Sequence, residues 1–324
     1  MVQASVHSER AQTLAGQTVC LTGATGFIGS HLVPLLLGAG ARVKVLTRSA
    51  QTSIAGVESV VGDLFDQSSL VAFLREADVL INLAQPADAV SDEQFSSAIR
   101  HLAHAAREAR VRRVLHISTA MVIGVPAARR VNEDTPGEAK TVYERQKLSA
   151  EITLRAELGA QVDLGILRPT AVFGAGGQNL LKLAEGIAGG SVLKRRVLRF
   201  LHGRRALHLV SVHEVVAAIM FLASLDRPLA GQVFLVAADD QPANNYQAVD
   251  GLLAAAMGKP VLGSSVRLPG ALLKFLLRLV GRSQADPNLI YDGAKLRSWG
   301  FEPPVEFTSA LREFAEAYMK NRAR

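Results

Sequence analysis

Between Gln17 and about Thr170 the chain alternates two hydrophobic patterns. Short runs at Thr18–Leu21, Arg42–Leu46, Val57–Val61, Val79–Leu83, Val114–Ile117 and Leu164–Leu167 are β-branched and apolar along most of their length, as strands covered on both faces are. Between most of them lie stretches with apolar residues every three or four positions, such as Ile28–Leu37 and Phe95–Arg107, which predict helices packed by one face. Strand and helix alternating at this spacing imply βαβ units. The predicted fold is therefore α/β, a Rossmann-type doubly wound parallel sheet.

After Phe173 the rhythm breaks. Gly174–Arg205 is Gly-rich and then strongly basic, Leu209–Leu222 reads as a strand running into a helix, and Val233–Ala237 is one more strand. From Asp239 onward the pattern is mainly helical, with a loop near Gly281–Pro287. This predicts a dinucleotide-binding domain over residues 16–172, to which 211–238 return. A smaller, mainly helical substrate domain would be assembled from 173–210 and 239–324. Pro34 is a local conflict, because it removes a hydrogen bond inside the first helix.

Composition changes this picture little. The balance of 36 basic against 29 acidic residues, a net +7, favours anionic partners such as phosphates, nucleotides or acidic lipid surfaces. The single cysteine, Cys20, lies in the first apolar run, so a disulfide is excluded. The first fifteen residues are polar, and no stretch of eighteen uncharged apolar residues occurs, which reads as a cytoplasmic, soluble chain.

The chemistry begins where the first strand runs into Thr22-Gly23-Ala24-Thr25-Gly26-Phe27-Ile28-Gly29 and a helix opens. Gly23 allows a tight turn, Gly26 a close backbone approach to a pyrophosphate, and Gly29 close packing of helix on strand; the helix N-terminus offers free N–H groups to phosphate. A plain Gly-rich turn has the same spacing, but not this strand–loop–helix context. The second strand ends in Thr47-Arg48, without the acid that would bond a ribose 2′-hydroxyl. Arg48 suits a 2′-phosphate, so NADP(H) is favoured over NAD(H). Asp63, with Leu64 after it, is placed either for the adenine amino group or as a helix N-cap. Leu83 and Ala84 close the fourth strand, where backbone would pass under the cofactor.

Tyr143 and Lys147 are four residues apart, hence on one face of a helix. A nearby ammonium and a positive nicotinamide would lower the phenol pKa, letting Tyr143 exchange a proton with a substrate oxygen while Lys147 holds the nicotinamide ribose. Ser118 and Thr119 end the fifth strand at the carboxyl edge, where a hydroxyl can bond the substrate or simply cap the strand.

Taken together, TGATGFIG at 22–29, Asp63, ISTAMVIG at 117–124, NEDTP at 132–136, YERQK at 143–147, RPTAVFG at 168–174 and WGFEPP at 299–304 resemble the extended short-chain dehydrogenase/reductase superfamily, specifically the NAD-dependent epimerase/dehydratase family. The resemblance implies Thr119, Tyr143 and Lys147 as the catalytic set. It places Pro169 to Val172 along the nicotinamide carboxamide. It likens Phe173–Leu180 to the loop of nucleotide-sugar 4-epimerases and 4-ketoreductases, whose asparagine, matching Asn179, contacts a diphosphate. The family's later arginine is missing, since Leu207 stands there; Arg205, two residues early, is the remaining candidate. His213 reads as a packing or capping residue, and no metal site is expected. A homodimer is a family expectation.

The substrate expected on this basis is a nucleotide-sugar, reduced or epimerised through a 4-keto species. Reduction of a hydrophobic ketone or aldehyde is the rival enzyme class, and an NADP-binding sensor or RNA-binding scaffold the non-enzymatic one; no nucleic acid partner is expected. The cluster Lys194, Arg195, Arg196, Arg199, Arg204 and Arg205 is open to a diphosphate, an acidic membrane surface or plain solvent. Leu272–Arg282 carries Lys274, Arg278 and Arg282 at helical spacing against Leu and Phe, as an interfacial helix or a domain helix with one wet face would.

Overall fold

The structure, a computed structural model, describes residues 13–50, 54–85, 90–124, 126, 128–263 and 289–322. The predicted helix Leu272–Arg282 and the loop Gly281–Pro287 lie outside the described residues. The first half forms β1 (Thr18–Thr22), α1 (Phe27–Gly38), β2 (Arg42–Thr47), β3 (Glu58–Val61), α2 (Gln67–Leu74), β4 (Val79–Asn82), α3 (Asp92–Glu108) and β5 (Arg113–Ile117). The strands β6 (Arg130–Val131), β7 (Asp163–Pro169), β8 (Ala171–Phe173), β9 (Leu209–Ser211), β10 (Gln232–Val236) and β11 (Ile290–Tyr291) follow. A seven-stranded parallel sheet runs β10-β7-β5-β4-β1-β2-β3. All six expected strands of the first half are present, with ends differing by one or two residues.

The alternating patterns explain this half. Every residue of β1, β4 and β5 is buried, as central parallel strands require. Helix α3 begins with a capping box in which Ser91 accepts from Gln94 N and the Gln94 side chain accepts from Ser91 N. Helix α1 buries Gly29, Leu32, Val33 and Leu36 and continues through Pro34. Pro34 and Ser30 are both exposed, so the carbonyl that the proline leaves without a donor faces water.

By packing, the described residues form two units. The first takes those within 13–117, 149–167 and 216–233; the second takes those within 118–148, 168–215 and 234–322. Residues 118–148, grouped with the nucleotide domain by the sequence pattern, pack with the second unit. The first unit is tied by a buried cation. Arg113, 2% exposed, donates Nε to Asp163 at 2.7 Å, Nη1 to the carbonyls of Leu222 and Leu225, and Nη2 to that of Arg227. Asp163 also accepts from the backbone N–H groups of Leu229 and Ala230. One guanidinium thus joins β5, β7 and the chain that leads into β10.

In the second unit, β8 pairs with β9 and β6 with β11. Helices α4 (Val142–Leu158), α5 (Leu181–Gly189), α6 (Val192–His202), α7 (Val212–Ser224) and α8 (Tyr246–Ala256) follow β5 along the chain, with Ala294–Ser298 and Phe307–Arg322 after them. The stretch read as Gly-rich and basic holds α5 and α6. Helix α6 escapes a pattern search because its sidedness is reversed: Arg195 and Arg199 point inward and its aliphatic residues outward. Asp250 of α8, fully buried, accepts from Arg195 Nη2 at 3.0 Å and Arg199 Nη1 at 2.7 Å.

Removing one partner of a buried, multiply bonded ion pair leaves the other charge uncompensated, at a cost of about 3–5 kcal/mol. Arg113→Met should lose stability on that scale in urea unfolding, whereas the exposed neighbour change Arg112→Ala should cost about 0.5 kcal/mol or less. Equal, small losses for both would mean that the Arg113 clamp does not hold the unit together.

Candidate active site

In the sheet order, β1 is flanked by β2 on one side and β4 on the other, so the connections turn opposite ways there and leave a crevice at the carboxyl ends. The residues closing that edge form a buried polar chain. Thr22 Oγ1 donates to Asn82 Oδ1 at 2.6 Å and accepts from Ala84 N, while the Asn82 amide nitrogen is hydrogen-bonded with His116 Nδ1 at 3.1 Å. Sequence reading did not single out this chain, because its bonded hydroxyl, amide and imidazole sit 60 and 34 residues apart.

Above this edge lies a cleft of about 590 Å³. Of the residues expected to hold a dinucleotide, Gly23, Thr25, Gly26, Arg48, Asp63, Leu64, Leu83 and Ala84 line it; Thr47, Gly62, Phe65 and Gln85 join them. Phe27, Ile28 and Gly29 form the first turn of α1 instead. The glycines fit a cofactor cradle on steric grounds. Gly23 has φ +71°, and a Cβ at Gly29 would run into the carbonyl oxygens of Gly23 and Ala24. Arg48 is exposed at the end of β2, and Thr47 Oγ1 donates to Ser49 O at 3.1 Å. Asp63 is not the helix cap: Asp66 caps α2, and Asp63 Oδ1 accepts from Phe65 N at 3.0 Å in a local turn while lining the cleft.

Tyr143 and Lys147, at the start of α4, fall in the second unit. Thr119, 7% exposed, accepts from Met121 N and caps a 3-10 turn, Ala120–Ile123. Its side chain also pulls the Tyr143 phenol pKa down. Lys147 is buried on the same helix, and Ser118 is buried beside Thr119. Glu144 secures the start of α4 by accepting from Lys140 N and Thr141 N. The expected lowering of the Tyr143 pKa is not what this chain's own groups produce. Desolvation raises the phenol above its usual value, and the Thr119 side chain offsets that only in part.

Other expected contacts are redirected. Asn179 Nδ2 donates to the Val172 carbonyl at 2.7 Å, so part of that amide is spent on its own loop. Arg195 and Arg199 are paired with Asp250 and are not surface cations. Arg205 is half-buried, its backbone bonded to His202 and Tyr246. Pro169 ends β7 and Val172 lies in β8. His213 meets the Glu313 carboxylate at 3.0 Å. Among the described residues no His, Cys, Asp or Glu cluster could hold a metal, and no helix is long and apolar enough to cross a membrane.

The family model for the NAD-dependent epimerase/dehydratase family matches residues 19–237. The chain belongs to the NAD-dependent epimerase/dehydratase family. Its members are NAD-dependent oxidoreductases and epimerases, and that general chemistry is this protein's. Sterol demethylase protein B of Methylococcus capsulatus is 31% identical over 68% of this chain and 69% of its own. A UDP-glucose 4-epimerase of Vibrio cholerae is 25% identical over 94% and 96%. In fold, the chain is similar to a dTDP-glucose 4,6-dehydratase of Streptomyces venezuelae, with TM-score 0.69 and 21% identity over 95% of this chain and 98% of that one.

This family member carries a second cleft in its second unit, about 550 Å³, lined by Glu214, Gln241, Arg297, Glu306 and Thr308 among others. Glu214 is 7% exposed, and burial pushes its carboxyl up to about 7, with Arg297 pulling it down and Asp240 up. The native protein therefore holds a proton that an unfolded glutamate, titrating near 4.5, has released. Stability should fall as pH rises from about 4.5 to about 7, by on the order of 3 kcal/mol, and level off above. Glu214→Gln should flatten that slope in urea unfolding at a series of pH values; an unchanged slope would show that another group carries it.

Proposed function

We propose that this chain is an NADP(H)-dependent reductase of a ketone on a hydrophobic, lipid-like substrate, with Tyr143, Thr119 and Lys147 as its catalytic set. The arrangement that carries the chemistry is Thr119, buried just past the end of β5, together with Tyr143 and the buried Lys147 one helical turn apart on α4. The cofactor reading rests on the glycine cradle and on Arg48, exposed in the cleft where an acid would otherwise select the 2′-hydroxyl. When bound, the nicotinamide supplies or accepts the hydride. Tyr143, its phenol raised and therefore protonated, donates a proton to the substrate oxygen, which suits the direction of reduction. Thr119 steadies the phenol and the substrate oxygen, and Ser118 lies next to it. Lys147 would hold the nicotinamide ribose.

The substrate class is argued from what the expected diphosphate ligands do instead. Arg195, Arg199 and one amide hydrogen of Asn179 are committed inside the protein. The name of the sterol demethylase relative points the same way. A nucleotide-sugar reduced or epimerised through a 4-keto species is the second reading. It is favoured by the long alignment with a UDP-glucose 4-epimerase and by the exposed Lys194, Arg196 and Arg204.

Two measurements test this. Arg48→Ala should weaken NADPH binding by about 1.5–3 kcal/mol and leave NADH nearly unchanged, as loss of a charged hydrogen bond does; equal losses for both dinucleotides in a fluorescence titration would remove the preference. Tyr143→Phe should keep dinucleotide affinity while turnover with NADPH and a sterol-like ketone falls by a factor of about 10²–10⁴. Unchanged turnover would sink the catalytic assignment, and turnover with nucleoside diphosphate 4-ketosugars but no hydrophobic ketone would replace the substrate.

A further inference from the structure

Helix α6 turns two arginines in and three large apolar residues out. Arg195 and Arg199, each 4% exposed, are locked on Asp250, and they also donate to the carbonyls of Pro260, Gln247, Leu262 and Gly263. These bonds fix the roll of the helix about its axis. On the opposite side stand Leu193 at 71% exposed, Val197 at 49% and Phe200 at 43%. Leu193, Val197 and Phe200 follow at i, i+4 and i+7, so they form one continuous stripe. The charged residues exposed beside them are Lys194, Arg196 and, just past the helix, Arg204; α6 contains no carboxylate.

In water this arrangement is costly twice, since it exposes large apolar groups and sequesters two guanidiniums. The same arrangement is the one an interfacial helix needs: an apolar face to enter the acyl boundary and flanking cations to meet anionic headgroups. We propose that α6 is a peripheral docking face for an anionic lipid surface, with Leu193, Val197 and Phe200 inserted and Lys194, Arg196 and Arg204 paired with lipid phosphates. Charge complementarity selects this occupant: an aliphatic stripe flanked by cations alone fits anionic headgroups. The inference stands apart from the proposed chemistry, because it uses none of the residues assigned to the catalytic set.

The test uses the full chain and flotation with vesicles of phosphatidylcholine alone or with added phosphatidylglycerol. The protein should float with the anionic vesicles and remain behind with the neutral ones, and added salt should release part of it. Lys194→Ala and Arg196→Ala should each weaken binding roughly fivefold, the effect of one cation near such a surface. Leu193→Asp with Phe200→Asp should abolish it at an unchanged melting temperature, since both side chains are exposed. No flotation with either vesicle, or flotation that the double variant does not disturb, would overturn the proposal. So would a dimer in light scattering that the double variant dissolves, which would assign the face to a second copy of the chain.

Discussion

A parallel sheet satisfies its backbone in the interior, but at the carboxyl edge the ladder ends among groups that water reaches poorly. Here that edge is closed by side chains. The Thr22 hydroxyl bridges from β1 to Asn82 at the end of β4 and also receives the N–H of Ala84, and Asn82 in turn reaches His116 on β5. The backbone at Leu83 and Ala84 is therefore set relative to Gly23, against which it lies so closely that a Cβ on the glycine would be in tight contact with Leu83. Glycine loop, fourth-strand exit and cleft are consequences of this one polar junction at the point where the sheet reverses its winding.

Elsewhere the protein uses buried guanidiniums for the same purpose. Arg113 gathers an acid and several carbonyls at a place where helix α7 has ended and the chain must turn toward β10. Arg195 and Arg199 gather Asp250 and the carbonyls beyond α8. Arginine suits these positions because its planar fork serves several acceptors at once, while its charge is met by one carboxylate. The consequence for function is direct: part of the net +7 is structural, and the surface near α6 is less basic and more apolar than the sequence of that stretch implies.

The two halves of the proposed chemistry differ in how they are held. The dinucleotide cleft is built from loop backbone leaving rigid strands, so its shape follows from the sheet. Tyr143, 40% exposed, is positioned by the helix start that Glu144 secures. Desolvation keeps that phenol protonated, a property that favours proton donation to a developing alkoxide.

The sequence by itself determined the Rossmann half, because period-two and period-3.6 patterns and the spacing of Gly23, Gly26 and Gly29 are local properties that translate into strands, helices and a turn without reference to the rest of the chain. It also brought Tyr143 and Lys147 onto one helix, since four residues are about one turn. What only the tertiary structure decided is the fate of individual polar groups: which arginines are surface cations, that Asn179 turns back to Val172, that Glu214 is raised to about 7, and that α6 is inverted. The reason is separation. Arg195 meets its acid 55 residues away and Arg113 reaches carbonyls up to 114 away, and whether a charge is buried depends on such partners and not on its neighbours in sequence.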